Sequence, residues 1–308
     1  MPYSPRLKGY QPMKLGLRSV LAVAAAVAGA VAISLVVPVS GQQAPAYRAP
    51  RTPDGHPDLN GIWQANNEAN WDIQMHVARP ALALRAGPYG PVPAKDVLAL
   101  GAVGSVPPGL GVVEGNEIPY KPEALAKRKT NFQNRTTLDP EVKCYLPGVP
   151  RAMYMPLPFQ IVQDSQSMLM AFEYASAARR IDLVTMPSAP VDTWMGYSGG
   201  KWEGDTLVIS SKGFNDQSWF DRAGNFHSDA LRVVERVTPL GPDALNYEAT
   251  IEDPNVFTRP WKISMPLYRR LEKNLQLLEF KCEEFAEDLM YGPLKKAGDD
   301  GIWRRGVR

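Results

Sequence analysis

Three polar side chains beside one turn could carry acid–base chemistry. Asp221 and His227 flank a Gly-Asn pair that favours a turn, so both are expected at one rim of a sheet. Glu235 follows in a stretch of alternating apolar residues and shares a face with Val233 and Val237. Burial disfavours a charged carboxylate, and this is how proteins prepare general acids and bases. The spacing predicts His227 and Glu235 as an acid–base pair, with Asp221 orienting the histidine.

The same glutamate has a structural alternative. It could pair with Arg180, Arg236 or another arginine as an ion pair inside the mouth of a barrel. His227 could likewise be a satisfied turn residue, because a single histidine makes a poor transition-metal site.

Metal binding finds only weak support in the sequence. Oxygen ligands from Asp221, Asn225 and Asp229 would suit calcium, but they lack the spacing of a dedicated calcium loop. We therefore assign no metal site, and the sequence identifies no cofactor.

Aromatic residues form a second candidate site. Trp194, Trp202 and Trp219 lie in a stretch of loops and strand ends, with Arg180 and Asn215 as nearby polar groups. Aromatic walls with a few polar groups are typical of small-molecule sites, so these five residues are the predicted ligand-binding set. The alternative is that the tryptophans fill the core.

Alternating apolar and polar residues indicate the strands that must position these groups. The pattern is strictest at 245–252, where Leu245, Tyr247, Ala249 and Ile251 alternate with polar residues. A helix is predicted over 122–131 from its strong helix formers. Further strands are predicted at 58–64, 159–163, 168–174, 180–184, 205–210, 231–238, 261–267 and 275–282.

Short strands joined by turns predict an all-β fold that is mainly antiparallel, because parallel pairing needs long crossovers. Closure into a barrel or a strongly curved meander would remove exposed edges. A single domain is expected over 58–291, with a leader at 42–57 and a tail at 292–308. Residues 79–120 are rich in Pro and Gly and are expected to form a long irregular insertion.

The N-terminus has the order of a signal peptide. Lys14 and Arg18 precede an uncharged run over 19–37, and small residues follow at 39–41. Residues 1–41 are therefore predicted to direct export to the periplasm or the exterior, with Met13 as a possible natural start. The alternative is a retained membrane anchor, since the run approaches spanning length; with cleavage, no stable membrane insertion is expected.

The chain has two cysteines, Cys144 and Cys282. In an oxidising compartment they are expected to form one disulfide. The alternatives are two free thiols or a catalytic cysteine, which would need a base from His56, His76 or His227.

The overall charge disfavours a nucleic-acid partner. The chain of 308 residues carries 34 Lys and Arg against 32 Asp and Glu, a formal net charge of +2. Binding to phosphate backbones rests on a basic surface, which this balance does not supply. Composition leaves the oligomeric state open.

Several motifs carry a resemblance to known proteins: Cys144-Tyr-Leu-Pro-Gly-Val-Pro-Arg151, Trp202-Glu-Gly-Asp-Thr-Leu-Val208 and His227-Ser-Asp-Ala-Leu-Arg-Val-Val-Glu-Arg236. Through them the stretch 139–261 resembles a group of uncharacterised, secreted, β-rich bacterial proteins, which brings no reaction with it. Separately, Gly61-Ile62-Trp63 resembles the Gly-x-Trp of lipocalin-like barrels. That resemblance implies a small apolar ligand, although the insertion before residue 120 departs from the lipocalin pattern.

Three functions are consistent with these features. The first is an exported protein that binds a small apolar or aromatic ligand in a β-barrel pocket. The second is a secreted hydrolase, lyase or isomerase that uses the His227 and Glu235 pair. The third is a structural or interaction protein of the cell envelope, with the Pro-rich insertion as its contact surface.

Overall fold

The computed structural model describes the chain in four ranges, the first of which begins at residue 47, within the predicted leader. All of the described residues belong to one compact unit that begins at Tyr47. The predicted signal peptide, 1–41, and tail, 292–308, lie outside them. No helix within the described ranges has the length and apolar character needed to cross a membrane. The described ranges are 47–79, 84–85, 92–93 and 106–286.

A closed barrel of nine strands forms the body of the protein. Around the barrel the order is β1, β11, β10, β9, β8, β7, β6, β5 and β4, while β2 and β3 pair only with each other. The strands are β1 (Gly61–Gln64), β2 (Leu84–Arg85), β3 (Val92–Pro93), β4 (Phe159–Gln163), β5 (Ser167–Phe172), β6 (Ala178–Asp182), β7 (Tyr197–Glu203), β8 (Thr206–Lys212), β9 (Arg232–Gly241), β10 (Ala244–Glu252) and β11 (Trp261–Arg269).

Helical structure is sparse among the described residues. The predicted helix is confirmed as α1 (Pro122–Gln133), which has proline in its first turn and is followed by the single turn α2 (Arg135–Leu138). The all-β prediction is therefore confirmed. Short 3₁₀ segments lie at Glu114–Asn116, Pro140–Lys143, Arg151–Tyr154 and Tyr174–Ser176.

The mainly antiparallel pairing is confirmed, and one predicted strand needs correction. Pairing is antiparallel around the barrel except between β6 and β7, which run parallel because the connection 183–196 returns the chain to the same end of the sheet. The stretch 275–282, expected as a strand, has no regular structure. Its alternating leucines find no free edge to join, because β1 pairs with both β11 and β4 and so closes the barrel.

The inward-facing side chains of the alternating strands fill the barrel interior. On β10 the buried residues are Leu245, Tyr247, Ala249 and Ile251, while their neighbours face outward, as the pattern predicts. Bulky side chains such as Phe159 are completely buried within the same core. The interior of this barrel is therefore occupied by the protein's own side chains.

Closure at β1 depends on Gly61, Trp63 and Arg269. The Arg269 guanidinium lies 4.2 Å from the centre of the Trp63 ring and donates a 2.7 Å hydrogen bond to the carbonyl of Asn60. A side chain at Gly61 would meet Arg269 Nη1 at 2.1 Å. The Gly-x-Trp segment thus brings the first barrel strand against the last one.

Cys144 and Cys282 form the predicted disulfide, which joins positions separated by 138 residues. The bond ties the irregular segment after β11 to the segment before β4. The ring formed by the bond encloses every barrel strand from β4 to β11 and leaves β1 outside.

We expect the double substitution Cys144→Ser and Cys282→Ser to lower the free energy of unfolding by about 3 to 5 kcal/mol, because the bond restricts a long loop in the unfolded chain. Urea denaturation followed by tryptophan fluorescence measures this change. Wild-type protein reduced with dithiothreitol is the matched control and should behave like the variant. A loss below about 1 kcal/mol would contradict the expectation.

Candidate functional site

A buried ion pair occupies the barrel interior. Glu235 on β9 and Arg179 on β6 are both almost completely buried, and the guanidinium donates to both carboxylate oxygens. The Nη1 to Oε1 distance is 3.0 Å, and the Tyr247 hydroxyl donates to the same oxygen at 2.9 Å. Glu235 therefore points inward, as its alternation with valines predicts, and its arginine partner is Arg179 rather than Arg180 or Arg236.

Two serines complete the coordination of Arg179. Its Nε donates to Ser198 Oγ at 2.9 Å, and its Nη2 donates to Ser211 Oγ at 2.7 Å. The two hydroxyls also lie 3.0 Å apart. Burial opposes the charge on Arg179, but the Glu235 carboxylate outweighs it and raises the arginine pKa. We call these five residues the barrel network: Arg179, Ser198, Ser211, Glu235 and Tyr247.

His227 has a different set of partners. Its Nδ1 lies 2.8 Å from the Ser228 carbonyl oxygen, and its Nε2 lies 2.8 Å from Ser218 Oγ. Since a carbonyl only accepts, Nδ1 holds the proton and Ser218 donates to Nε2. Burial lowers the pKa of His227 and favours the neutral ring. The hydrogen bonds of His227 and of Glu235 thus do not join the two groups, and their acid–base role stays a prediction.

Asp221 lies on the other side of the same loop. Its carboxylate accepts hydrogen bonds from the main-chain N–H of Ile73 at 2.9 Å and from the Asn225 side chain at 2.6 Å. Complete burial, together with the negative charge of Asp72, raises the pKa of Asp221 to about 7. The bond from Ile73 attaches the loop to the segment that follows β1. His227 is not among the hydrogen-bond partners of Asp221.

The three predicted tryptophans occupy different surroundings. Trp194 packs against Tyr145, with ring centres 4.8 Å apart, and lies just before β7. Trp202 lies toward the far end of the same strand and stacks on His56 at 4.9 Å. Trp219 is buried in the loop after β8. Trp202 is therefore placed away from Trp194 along β7.

The two predicted polar ligand-binding residues also differ in their surroundings. Asn215 accepts a hydrogen bond from the main-chain N–H of Gln217 at 3.2 Å and so shapes its own turn. Arg180 is exposed on β6 and lines a cleft. Among the predicted ligand-binding residues, Arg180 lines this cleft together with Arg179 and Ser198 of the barrel network.

That cleft, which we call the seam cleft, has a volume of about 320 Å³. Arg179 and Ser198 of the barrel network contribute to its wall, so it adjoins the buried polar core. Apolar lining comes from both strands and from the loop between them. The lining residues are Ala178, Arg179, Arg180, Asp182, Pro187, Met195, Gly196, Tyr197 and Ser198.

The seam cleft exists because β6 and β7 pair over two residues and lie apart on the N-terminal side of these pairs. Only Ile181 with Ser198 and Asp182 with Gly199 form pairs. Before Ser198 the chain turns away at Gly196, which has φ +63°, where a Cβ would lie 2.6 Å from the Phe214 ring. Glycine at this position therefore opens the barrel wall.

The described residues contain no group of three or more His, Cys, Asp or Glu side chains that could hold a metal ion. No protein-family model and no curated protein matches the chain. Its site must therefore be interpreted from its own geometry.

Sequence reasoning missed several members of the site. Arg179 lies one residue before the predicted strand 180–184 and could have been found by extending it, because it shares an inward face with Ile181 on β6. Ser198 and Ser211 carry no such signal, since small hydroxyl residues are common on either face of a strand. Ser218, the partner of His227, lies in a loop where spacing predicts no contact.

We expect Glu235→Leu to lower the free energy of unfolding by about 3 to 5 kcal/mol, because it leaves the Arg179 charge buried without its partner. Arg179→Met should cost a similar amount for the same reason. The double variant should recover most of the loss, because two apolar side chains leave no uncompensated charge. Urea denaturation of the four proteins completes the cycle, and additive losses would contradict the proposed coupling.

Asp221 should make stability depend on pH. Because the pKa of Asp221 in the folded state, about 7, lies above its ordinary value of 3.8, the folded state binds more protons than the unfolded state between these pH values. Its contribution to the free energy of unfolding therefore falls as pH rises from 4 to 7, by at most about 1.4 kcal/mol per pH unit.

The comparison is wild type against Asp221→Asn in urea denaturation at pH 5 and pH 8. His227, whose pKa is lowered, acts in the opposite direction below pH 6.5, but it is present in both proteins and cancels in the difference. The stability advantage of wild type over the variant should be larger at pH 5. An advantage that is equal at both pH values would refute the assignment.

Proposed function

We propose that this is an exported binding protein that holds a small ligand with an apolar or aromatic body in the seam cleft. The observation that carries the proposal is the parting of β6 and β7, which opens a cavity of about 320 Å³ beside a rigid polar core. Ligand sites are typically concave and largely apolar, with a few fixed polar groups.

The lining supports this ligand class. Pro187, Met195 and Tyr197 supply apolar and aromatic surface, and the exposed guanidinium of Arg180 supplies one positive charge. Ser198 is held in place by Arg179, so the wall next to the ligand is already ordered before binding. The barrel interior offers less support as a ligand chamber, because bulky side chains fill it.

The acid–base alternative, a hydrolase, lyase or isomerase using His227 and Glu235, has less support from the geometry. Glu235 is engaged by Arg179 and Tyr247, and both ring nitrogens of His227 have partners of their own. For the third function, a protein of the envelope, most of the Pro-rich insertion lies outside the described residues.

Export is part of the proposal and rests on two features. The N-terminal segment has the order of a signal peptide, and the disulfide between Cys144 and Cys282 is the kind of bond that persists in oxidising compartments. We further propose that its partners are small molecules rather than nucleic acids.

We expect Ala178→Trp to weaken ligand binding at least tenfold, because the indole would fill the seam cleft. Ala178 is exposed on β6, so the substitution leaves the core intact. A saturation-transfer NMR screen of phenylacetate, benzamide and indole provides the ligands, and calorimetry provides the affinities.

Thr250→Trp is the matched control, since Thr250 lies on β10 and outside the seam cleft. It should bind as wild type does. If Ala178→Trp retains wild-type affinity for every compound that binds, or if none of the compounds binds, the proposed site is wrong.

A further inference from the structure

The main-chain groups of β6 alternate between its two neighbours. At the ends of the β5–β6 ladder, Phe172 N–H donates to the Ala177 carbonyl and Leu183 N–H donates to the Gln166 carbonyl, each at 2.8 Å. These bonds fix the phase of the ladder, so the odd-numbered residues of β6 bond to β5. The even-numbered residues of β6 therefore direct their N–H and C=O groups toward β7.

Ser198 uses part of this edge. In a parallel ladder one residue bonds to the two residues that flank its partner, and Ser198 is paired with Ile181. Its N–H therefore reaches the carbonyl of Arg180, and its carbonyl accepts from the N–H of Asp182. These bonds hold the closed end of the seam.

In the part of the chain that the structure describes, the next two main-chain groups along this edge of β6 are not bonded to β7. The carbonyl of Ala178 and the N–H of Arg180 are spaced like the carbonyl of Arg180 and the N–H of Asp182, which bond to Ser198. Gly196 would bond to these two groups if β7 continued, but it turns away, and no main-chain hydrogen bond joins it to β6 within the described chain. Both Ala178 and Arg180 are exposed and line the seam cleft, so the cleft runs along this edge of β6.

We propose that the seam cleft binds an extended peptide segment, which lies parallel to β6 as an inserted strand. The inference rests on the proposed binding function and names its ligand class. The peptide residue opposite Arg179 donates its N–H to the Ala178 carbonyl and accepts at its C=O from the Arg180 N–H. Strand addition of this kind draws affinity from main-chain bonds and specificity from side-chain pockets.

The surrounding side chains suit a short peptide with an apolar residue. Met195 and Tyr197 provide the apolar surface, and the Arg180 guanidinium suits a terminal carboxylate. The Asp182 carboxylate accepts from the N–H groups of Val184 and Thr185, at 2.9 and 2.8 Å, and is therefore engaged in its own turn. Arg180 lies within electrostatic reach of Asp182 and Asp164 but forms no ion pair with either carboxylate among the described residues, so its exposed guanidinium can pair with a ligand.

Three probes test the inference by calorimetry: N-acetyl-phenylalanine, its N-methyl analogue, and 3-phenylpropanoate. All three present a phenyl ring and a carboxylate, but only the first has an amide N–H to donate. We expect it to bind about tenfold more tightly than either of the others, the effect of roughly one hydrogen bond.

The matched variants are Arg180→Ala, which keeps the main-chain N–H, and Arg180→Pro, which removes it. Because this N–H faces the seam, the proline breaks no bond to β5. N-acetyl-phenylalanine should bind about five- to tenfold more weakly to Arg180→Pro than to Arg180→Ala, because its carboxylate accepts from this N–H, whereas indole, which has no oxygen acceptor, should not distinguish them. If the proline variant does not fold, the N-methyl comparison on wild type decides alone.

The outcomes separate the two proposals. If 3-phenylpropanoate and the N-methyl analogue bind as tightly as N-acetyl-phenylalanine, and Ala178→Trp blocks them, the cleft binds small ligands but not peptide units. If no probe binds, the peptide inference fails, and the binding function is judged by the Ala178→Trp screen.

Discussion

The register of the barrel strands depends on the buried ion pair between Arg179 and Glu235. Both charges are removed from water, and such a pair is rarely more stable than apolar residues of the same size. Its benefit is specificity, because a slip of one residue in β6 or β9 would turn one charge outward and leave the other buried alone. The pair therefore fixes the register of strands that do not touch each other directly.

The barrel network also compensates for a weak place in the wall. Its five side chains come from five consecutive strands, β6 to β10. Main-chain pairing between β6 and β7 contributes only two residue pairs, as few as between β1 and β11. Arg179 and Ser198 bridge this junction with a side-chain bond of 2.9 Å. The wall can therefore open into a cleft on its outer side while the barrel remains closed inside.

The alternation of apolar and polar residues predicted the barrel and the inward position of Glu235. A strand with one buried face shows this two-residue period within a few residues of sequence, so the pattern can be found without knowing the rest of the fold. It could not predict which groups meet, since partners such as Arg179 and Glu235 are brought together by the order of strands around the barrel. His227 shows the same limit: it lies near Glu235 in sequence, yet its partner is Ser218, nine residues earlier in the same loop. The leucines of 275–282 carried a strand pattern but found no open edge, so pattern alone did not decide their structure.

The position of the disulfide has a mechanical consequence. The covalent ring encloses β4 to β11, whereas β1, only four residues long, is held by hydrogen bonds and by the contact between Trp63 and Arg269. A pulling force applied at Tyr47 would therefore extract β1 first, while the ring limits how far the residues it encloses can extend. The strand that closes this barrel is thus the one barrel strand that the disulfide does not secure.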